Sequence, residues 1–383
     1  MDLQLTEEQR AIRDLARAFA QKEIAPRAVE WDRTGEFPAD VYRKLGEQGL
    51  MGLPFPEAYG GGAADTVSVT LAIEEIGKAD GSMGLTFAAH IGLGSMPIFL
   101  FGSQGQKIKW LKPLAHGDGL GALALTEPKG GSDLAGSVQT TARLQNGEWV
   151  INGSKQYVTS GKVARSIVTL CRTDPAAGHR GLSLIIVPHD APGLKIGKLE
   201  DKMGLHASLT TEVFYEDCRV PRENILGNPG EGFRQTMQVL DGGRVGIGAL
   251  SVGLGQAAHD AAVAYAKERR AFGVPIAELQ AIQQMVADSA VELEAARFLV
   301  WKAALLKDQG KRFALEAAQA KLFASEAADR ACWKAIQIMG GAGYLRDMSV
   351  ERMYRDNRLM LIGEGTNEIQ RMIIARRILK LDA

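Results

Sequence analysis

A block of strand-like segments in the middle of the chain constrains its fold more than any other feature. Between residues 119 and 221, apolar and β-branched runs of strand length follow one another without a long helical segment between them. The six runs are GALALTEP, SVQTTARL, EWVINGSKQYVTS, RSIVTLCRTD, GLSLIIVPHD and TEVFYEDCRV. The pair Asn146-Gly147 separates two of them and is typical of a type I′ hairpin turn. Strands so closely spaced predict an antiparallel barrel or sandwich.

Helical patterns flank this block on both sides. Before it, apolar residues at helical spacing predict helices over residues 6–30, 39–48, 65–78, 84–101 and 104–114. Thr6 and Gln9 form a capping box at the first of them. After the block, helices are predicted over residues 232–267, 275–308, 312–339 and 349–361, ahead of a closing helix. Long helices with short connections favour an up-and-down bundle.

The predicted fold class is therefore α+β, in three parts. An N-terminal α-helical domain is expected over residues 1–119 and a middle antiparallel β domain over 120–225. A C-terminal four-helix bundle, which includes a candidate catalytic segment around Glu364, is expected over 226–383.

Composition and charge narrow the possible functions. Lys plus Arg and Asp plus Glu both number 45, so no overall field would recruit nucleic acid or an anionic membrane. Cys171, Cys218 and Cys332 are odd in number and far apart, which supports neither a disulfide framework nor a metal cluster. The first residues lack a basic and apolar leader, and His90 and several glycines interrupt the apolar stretch 84–102. We expect a cytoplasmic protein with no metal, no nucleic-acid partner and no membrane insertion.

The stretch LIGEGTNEIQRMIIAR is the strongest candidate for chemistry. Glu364 lies between two glycines, so a carboxylate sits on a short turn where a ligand can approach the backbone. Thr366 or Asn367 is a natural N-cap of an amphipathic C-terminal helix, whose positive dipole end would lie beside Glu364. An ordinary helix cap preceded by a surface acid is the alternative that these residues leave open.

Two stretches of the strand block could hold a flat or phosphorylated ligand. The loop 126–133, TEPKGGSD, offers glycine N–H groups and hydroxyls that could hold a pyrophosphate or a polar ring edge. A sharp turn between strands is the competing interpretation. In the strand over 151–160, Tyr157 and Thr159 are two residues apart and hence on one face, which suits stacking and edge hydrogen bonding of a flat cofactor. Packing against a helix would explain the same pattern.

Several features of the predicted bundle are weaker signals. Gly242 and Gly243 lie inside a predicted helix at a cost of roughly 1 kcal/mol each relative to alanine, which a close ligand or a tight helix crossing would explain. Arg244 could meet a phosphate or a carboxylate. The segments 269–273 and 337–343 end helices, where arginine and glycine are common. The chain contains neither HExxH nor GxSxG, which removes support for metal hydrolysis and serine-type acyl transfer.

Taken together and in order, six motifs resemble those of the acyl-CoA dehydrogenase family of flavoproteins. They are LTEPKGGSD, INGSKQYVTSG, LDGGR, ERRAFG, QIMGGAGY and EGTNEIQR. The resemblance as a whole runs over essentially the entire chain. The likeness is strongest to short-chain and branched short-chain members. It implies the same three-part fold, with FAD between the β domain and the bundle. It also implies an acyl-CoA substrate, an electron-transfer flavoprotein as electron acceptor and a homo-oligomer, expected to be a tetramer.

The resemblance also assigns individual contacts. Those to FAD from the β domain are Leu123, Leu125, Thr126, Gly131, Ser132, Tyr157, Val158 and Thr159. Those to FAD from the bundle, several of them reaching a neighbouring subunit, are Arg269, Phe272, Gln280, Gln337, Gly340, Gly341, Thr366, Asn367 and Glu368. Those to acyl-CoA are Ser132, Asp241, Arg244 and Gly365. Tyr157 is a mild departure, because the family often has tryptophan at this place.

Glu364 matches the position of the family's catalytic base. The implied reaction takes the α-proton of a thioester to Glu364 and hydride from the β-carbon to flavin N5, which gives a trans-2-enoyl-CoA. Burial under an acyl chain should raise the pKa of this carboxyl above its usual ~4.3. A second branch of the family carries its base at the place of Gly243, where glycine cannot serve. Gly363 stands where many relatives have tyrosine, which alters the acyl pocket.

Other activities on the same fold remain alternatives at this point. An acyl-CoA oxidase or another flavin-dependent enzyme would share the motifs. A flavin- or acyl-CoA-binding protein without turnover would share them as well.

Overall fold

The computed structural model describes residues 4–381, so the first three and last two residues of the predicted terminal domains lie outside the described residues. The N-terminal part is helical, as predicted. Its helices are α1 (Glu7–Phe19), α2 (Ala28–Thr34), α3 (Ala39–Glu47), α4 (Thr66–Ala79), α5 (Gly81–Ala89), α6 (Met96–Phe101), α7 (Gln104–Gln106) and α8 (Lys112–Ala115). Turns of π-helix join α5 to α6 over His90–Ser95 and α7 to α8 over Lys107–Leu111.

The opening helix begins as predicted but ends early. The Thr6 hydroxyl accepts from the Gln9 backbone N–H at 3.1 Å and the Gln9 side chain accepts from the Thr6 N–H at 3.0 Å, which confirms the capping box. The predicted continuous helix to residue 30 is wrong, because a π-turn over Ala20–Ile24 follows α1 and α2 begins only at Ala28. Pro26 lies in this gap and has no N–H to continue the helical bonding.

The middle part forms one seven-stranded sheet. Its strands are β1 (Leu120–Ala124), β2 (Thr141–Gln145), β3 (Glu148–Thr159), β4 (Ala164–Arg172), β5 (Leu182–Pro188), β6 (Leu194–Leu199) and β7 (Thr210–Pro221). A short helix, α9 (Leu134–Ser137), lies between β1 and β2. All six predicted runs contain a strand, whereas β6 was not predicted because its sequence, LKIGKL, is half charged or glycine. Asn146 and Gly147 both have positive φ, 51° and 84°, which confirms the type I′ turn between β2 and β3.

The sheet is mostly, but not wholly, antiparallel. The strand order is β1-β4-β2-β3-β7-β6, and β5 pairs with β4. Strands β1 and β2 pair with β4 in parallel, so the prediction of an antiparallel sheet is wrong for these two contacts. A parallel pair needs a long crossover, and the β2–β3 hairpin lies between β1 and β4 and supplies one.

The C-terminal part consists of long helices. They are α10 (Gly232–Glu268), α11 (Gln280–Asp308), α12 (Ala314–Met339), α13 (Ser349–Asn357) and α14 (Asn367–Ile378). A two-residue ladder, β8 (Arg270–Ala271) with β9 (Val274–Pro275), joins α10 to α11. Helices α10, α11 and α12 pack along one another, and α13 and α14 pack against α12. Gly242 and Gly243 do not interrupt α10.

Two hydrophobic cores meet at strand β1. Ala122 and Ala124 belong to the core of the β-sheet, whereas Leu123 and Leu125 pack against the core that the helices share. Successive side chains of a strand point to opposite faces, so β1 lies at the boundary between the sheet and the helices. We propose domain boundaries at 119/120 and 225/226, because β1 begins at Leu120 and α10 begins shortly after residue 226, at Gly232.

The helical run Gly81–Phe101 is strongly apolar. Within residues 4–381, Gly81–Phe101 alone has the length and composition of a membrane-crossing helix, and 67% of its apolar window is buried inside the structure. A core helix of a globular protein passes the same test.

Candidate active site

Glu364 lies on the turn that precedes α14. Its φ is +53°, a left-handed conformation that a residue with a Cβ adopts at a cost, and Gly365 follows with φ +91°. Thr366 is the N-cap of α14 and its hydroxyl accepts from the Ile369 N–H at 3.4 Å, which decides between the two predicted caps. The turn therefore directs the Glu364 side chain inward, away from the axis of α14, and the Oε2 atom is buried without a hydrogen-bond partner among the described residues.

Helix α10 makes room for this carboxylate at Gly243. A Cβ built on Gly243 would overlap Glu364 Oε2 and would lie 3.1 Å from Leu93 Cδ2. The carboxylate of Glu364 thus occupies the space that a side chain at position 243 would take. A side chain carried at 243 and the Glu364 carboxylate would compete for one location.

The surroundings of Glu364 shift its pKa towards neutral pH. Burial raises the pKa of Glu364 to about 7, while the positive charges of Arg244 and Lys321 oppose this shift. The residue as a whole is half-buried, but its Oε2 atom is inaccessible to solvent. Because Oε2 accepts no hydrogen bond from the described residues, the effect of burial on the pKa exceeds that of the two positive charges. A carboxyl group with this pKa can accept a proton at neutral pH.

Asp241 and Arg244 form an ion pair one turn of α10 apart, at 2.6 Å. Both side chains are largely buried, with 23% and 7% of their surfaces exposed, and Arg244 Nε has no partner within the described residues. Burial raises the pKa of Asp241 and lowers that of Arg244. Unsatisfied polar atoms on both Arg244 and Glu364 indicate a site that is completed by a ligand.

An apolar pocket adjoins the same stretch of α10. Its walls come from α4, from α5 with the following π-turn, and from α10, and Lys307 of α11 lies at its edge. Lining residues include Val69, Ile73, Ala88, Ile91, Met96, Gly242 and Gly243. Because Gly243 contacts both this pocket and the Glu364 carboxylate, an apolar chain in the pocket would lie beside the base.

The predicted FAD contacts of the β domain lie at its boundary with the helices. Leu123 and Leu125 face the helical core from β1, and β3 carries Tyr157 at a bulge with φ +57° and 63% of the residue exposed. Val158 is buried in the core of the sheet, so only its backbone is open to a ligand, whereas Thr159 is half-buried. Gly131 has no atom closer than 3.9 Å to a built Cβ, so space remains beside the loop that carries Thr126 and Ser132.

A buried ion pair holds that loop in place. Lys155 Nζ donates to Glu127 Oε1 at 2.8 Å and to the Leu125 carbonyl at 3.0 Å. The Glu127 carboxylate also accepts from the N–H groups of Gln139 at 2.7 Å and Thr140 at 3.0 Å. The start of the loop is thereby tied to β3, and Glu127 also ties it to the segment just before β2.

The predicted cofactor contacts of the bundle fall into two groups. Those at the connections after α10 and α12 are all exposed in the single chain: Arg269, Phe272, Gln280, Gln337, Gly340 and Gly341. The Phe272 ring is 92% exposed, and nothing lies within 4 Å of a built Cβ on Gly340 or Gly341. The second group surrounds the start of α14, where Glu368 is exposed but the Asn367 amide is buried and bonded to Lys321, Ser325 and Glu326. A contact from Asn367 to a cofactor is therefore left to its backbone.

Comparison with known proteins places this arrangement in a family. Family models for the N-terminal, middle and C-terminal domains of acyl-CoA dehydrogenases match residues 6–118, 122–218 and 230–379. The chain belongs to the acyl-CoA dehydrogenase family. The predicted family, fold and enzyme class, an acyl-CoA dehydrogenase type of oxidoreductase, are thereby confirmed.

Three relatives illustrate the likeness. The chain is 53% identical to a probable acyl-CoA dehydrogenase, YngJ, of Bacillus subtilis over 99% of this chain and 100% of that protein. It superposes with a TM-score of 0.97 on butyryl-CoA dehydrogenase of Megasphaera elsdenii, at 40% identity and covering 99% and 100% of the two chains. It superposes with a TM-score of 0.98 on a chain from the structure of the electron transferring flavoprotein of Acidaminococcus fermentans, at 45% identity and covering 99% and 100%.

Two features of this acyl-CoA dehydrogenase site escaped sequence reasoning. Lys321 of α12 is fully buried next to the Glu364 turn, and Gln370 of α14 donates to the Gly365 carbonyl at 2.8 Å. A signal for Lys321 was present, since it follows Ala317 by four residues and precedes Ala324 and Ala328 on the apolar face of its helix. Among the described residues, no cluster of three or more His, Cys, Asp or Glu side chains is placed to hold a metal ion.

Proposed function

We propose that this protein catalyses the FAD-dependent α,β-dehydrogenation of a short-chain acyl-CoA thioester to the trans-2-enoyl-CoA, with Glu364 as the base. One observation carries the proposal: a carboxylate with a buried oxygen that has no partner within residues 4–381 is held on a left-handed turn beside an apolar pocket. Such a group suits proton abstraction next to an apolar chain better than it suits any structural role.

Glu364 removes the α-proton of the thioester. Its pKa of about 7 means that roughly half of the molecules carry the basic form at neutral pH, and that this form gains as the pH rises. Entry of the acyl chain excludes water from the pocket and further raises the proton affinity of the carboxylate. After the transfer, the proton stays on a carboxyl group that the surroundings tolerate in its neutral state.

Polar groups around the turn stabilise the charge that develops on the thioester. The N–H groups of Ile362 and Gly363 already donate to the Leu359 carbonyl, at 2.9 and 2.8 Å. By family resemblance, the next N–H, that of Glu364, donates to the thioester carbonyl. Arg244, fixed by Asp241, supplies a nearby positive charge and a guanidinium N–H for the CoA ester.

The residues present fit FAD. The open backbone at Gly131 and the exposed Tyr157 lie in the part of the sheet whose residues Leu123 and Leu125 are half-buried against the helices. Hydroxyls of Thr126, Ser132 and Thr159 would hydrogen-bond the cofactor, and the ring of Tyr157 would stack on it. Bound FAD would supply the acceptor for the β-hydrogen as hydride and a store for the two electrons.

Two partner proposals accompany this function. An electron-transfer flavoprotein is the proposed acceptor of the electrons, supported by the likeness to a chain from the structure of such a flavoprotein. A homo-oligomer, with a tetramer as the family expectation, is supported by the exposed Phe272 ring and the open Gly340-Gly341 backbone. A cytoplasmic location remains part of the same proposal.

An anaerobic titration with acyl-CoA thioesters tests the proposal. Straight-chain, branched and longer thioesters are added to the purified FAD-loaded protein while the absorbance of oxidised flavin is followed. Bleaching by short straight-chain thioesters is expected for the wild type and for Glu47→Gln, an exposed carboxylate on α3, but not for Glu364→Gln. Bleaching that survives in Glu364→Gln would refute the assigned base, and no bleaching by any thioester would refute the reaction. Rapid reoxidation by air would favour an oxidase instead.

A further inference from the structure

The side chain of Lys321 is buried next to the turn that carries Glu364. It lies in α12, has no exposed surface, and its ammonium donates to the Gly365 carbonyl and to Asn367 Oδ1, both at 2.9 Å. Lysine is almost never fully buried unless it is paired. Its partners here are a backbone carbonyl and an amide, so within residues 4–381 no anion neutralises the charge at hydrogen-bond distance.

The carbonyl that Lys321 binds belongs to the residue directly after Glu364. Gly365 and Glu364 are both left-handed, and the Gly365 carbonyl accepts a second bond from Gln370 Nε2 at 2.8 Å. Asn367, the other partner of Lys321, is fixed in turn by Ser325 of α12. Helix α12 thus fixes the backbone of the turn through Lys321, while α10 lies against the Glu364 carboxylate at Gly243.

The charge of Lys321 acts on the same group. Glu364 is faced by Arg244 from α10 and by Lys321 from α12, and both charges favour its ionised form. Lys321 is faced by Glu364, Arg244, Glu368 and Glu326, and burial lowers its pKa to about 8. At neutral pH the lysine is therefore mainly protonated while Glu364 is near its midpoint.

We propose that Lys321 is the positioning residue of the base: it fixes the turn through the Gly365 carbonyl and places a buried positive charge beside the residue that carries the carboxylate. The proposal rests on the proposed function for its catalytic consequence. The held turn and the charge on Glu364 are properties of the chain alone, and they can be measured without turnover.

Three variants separate geometry from charge. Lys321→Met removes the hydrogen bonds and the charge, whereas Lys321→Gln keeps an amide donor for the Gly365 carbonyl and removes only the charge. Lys334→Met is the matched control, since Lys334 lies on the same helix and pairs instead with Asp288 and Glu292 at 3.8 and 3.6 Å.

The first readout is the Glu364 carboxylate itself, titrated by infrared difference spectroscopy against Glu364→Gln in protein free of acyl-CoA. Both Lys321 variants are expected to raise the midpoint by about one pH unit, and Lys334→Met to leave it in place. Hydrogen exchange at residues 363–368 is expected to quicken at least tenfold in Lys321→Met and less in Lys321→Gln. If Lys321→Met does not fold, Lys321→Gln decides the charge effect alone.

The second readout is the pH profile of kcat/KM. Both Lys321 variants are expected to lose about tenfold at pH 6. Lys321→Gln should recover towards the wild-type value at pH 9, whereas Lys321→Met, which also loses the hydrogen bonds to the turn, should keep a deficit at pH 9. An unmoved midpoint together with a uniform loss of activity would overturn the proposal and leave Lys321 a purely structural residue. A wild type that no thioester reduces would refute the proposed function, while the infrared and exchange results would still decide the role of Lys321.

Discussion

Glu127 and Glu364 are carboxylates that each lie near a buried lysine, and their pKa values are shifted in opposite directions. Glu127 accepts hydrogen bonds from Lys155, Gln139 and Thr140, so both of its oxygens are satisfied. Burial alone would raise its pKa, but the charge and hydrogen bonds of Lys155 and the two backbone N–H groups lower it below the usual value. Glu364 has Lys321 and Arg244 close by, yet Oε2 has no partner among the described residues, and burial raises its pKa to about 7.

The difference shows that the position of a buried lysine relative to the acid decides whether its charge and hydrogen bond outweigh burial. At Glu127 the lysine donates to the carboxylate itself and the pair fixes a loop. At Glu364 the lysine donates to the backbone of the turn, and the carboxylate keeps its proton affinity. The same residue types thus build a structural anchor at one site and a candidate base at the other.

The largest expected effect concerns the anchor. Lys155→Met leaves Glu127 buried without its main partner, which should destabilise the β domain by ~3–5 kcal/mol. The double variant Glu127→Gln with Lys155→Met should recover part of this loss, because no uncompensated charge remains. Urea unfolding followed by fluorescence measures both. Equal stability of Lys155→Met and wild type would contradict the description of Glu127 and Lys155 as an anchor.

The second prediction is that the two acids have opposite effects on stability as the pH changes. The folded pKa of Glu364 is raised from 4.5 to about 7, so the folded state loses stability as the pH rises through this window. Glu364→Gln should therefore gain stability over wild type, by at most ~3 kcal/mol at pH 8 and by little at pH 4, since one pKa unit is ~1.4 kcal/mol.

Glu127 should show the reverse. Its folded pKa is lowered, so its contribution is complete above the unfolded value and is lost as the pH falls through the folded value. The deficit of Glu127→Gln should be larger at pH 7 than at pH 3. Thermal midpoints measured across the pH range check both variants, and parallel curves for the two would remove the distinction between anchor and base.

The sequence predicted the parts of this arrangement that depend on local pattern. Alternation and turn residues located six of the seven strands, and apolar spacing located the long helices. The glycines around Glu364 correctly indicated a short turn, because only the local backbone is involved. The six motifs identified the family, which periodicity alone could not have done.

What the sequence did not predict depends on which segments meet in space. The position of Lys321 on the apolar face of α12 indicates burial, but its partner, the Gly365 carbonyl, follows only from the packing of α14 against α12. The parallel pairing of β1 with β4 likewise follows from the path of the intervening hairpin and not from the composition of either strand. Tyr157 and Thr159 were expected on one face of a regular strand, but the bulge in β3 changes the local geometry.

A third prediction tests the space that α10 leaves for the unpartnered acid. Gly243→Ala would place a methyl group on Glu364 Oε2 and displace the carboxylate, so flavin reduction by substrate should slow by about 100-fold. Gly105→Ala is the control, because Gly105 lies in α7 outside the described site and nothing lies within 4 Å of a Cβ built there. Stopped-flow rates of both variants decide the matter. Similar rates for the two variants would mean that the carboxylate is not confined at this place.

The smallest expected effect separates the cap of α14 from the base that precedes it. The Thr366 hydroxyl accepts a long bond from Ile369, so Thr366→Ala should cost about 1 kcal/mol of stability, as should Thr6→Ala at the capping box of α1. Because Lys321 and Gln370 hold the turn independently of the cap, the rate of proton abstraction should fall less than threefold in Thr366→Ala. The exchange rate of the substrate α-proton with solvent deuterium measures this step. A tenfold fall would show that the cap holds Glu364 in place, and the contrast between a satisfied anchor and an independently held base would then need revision.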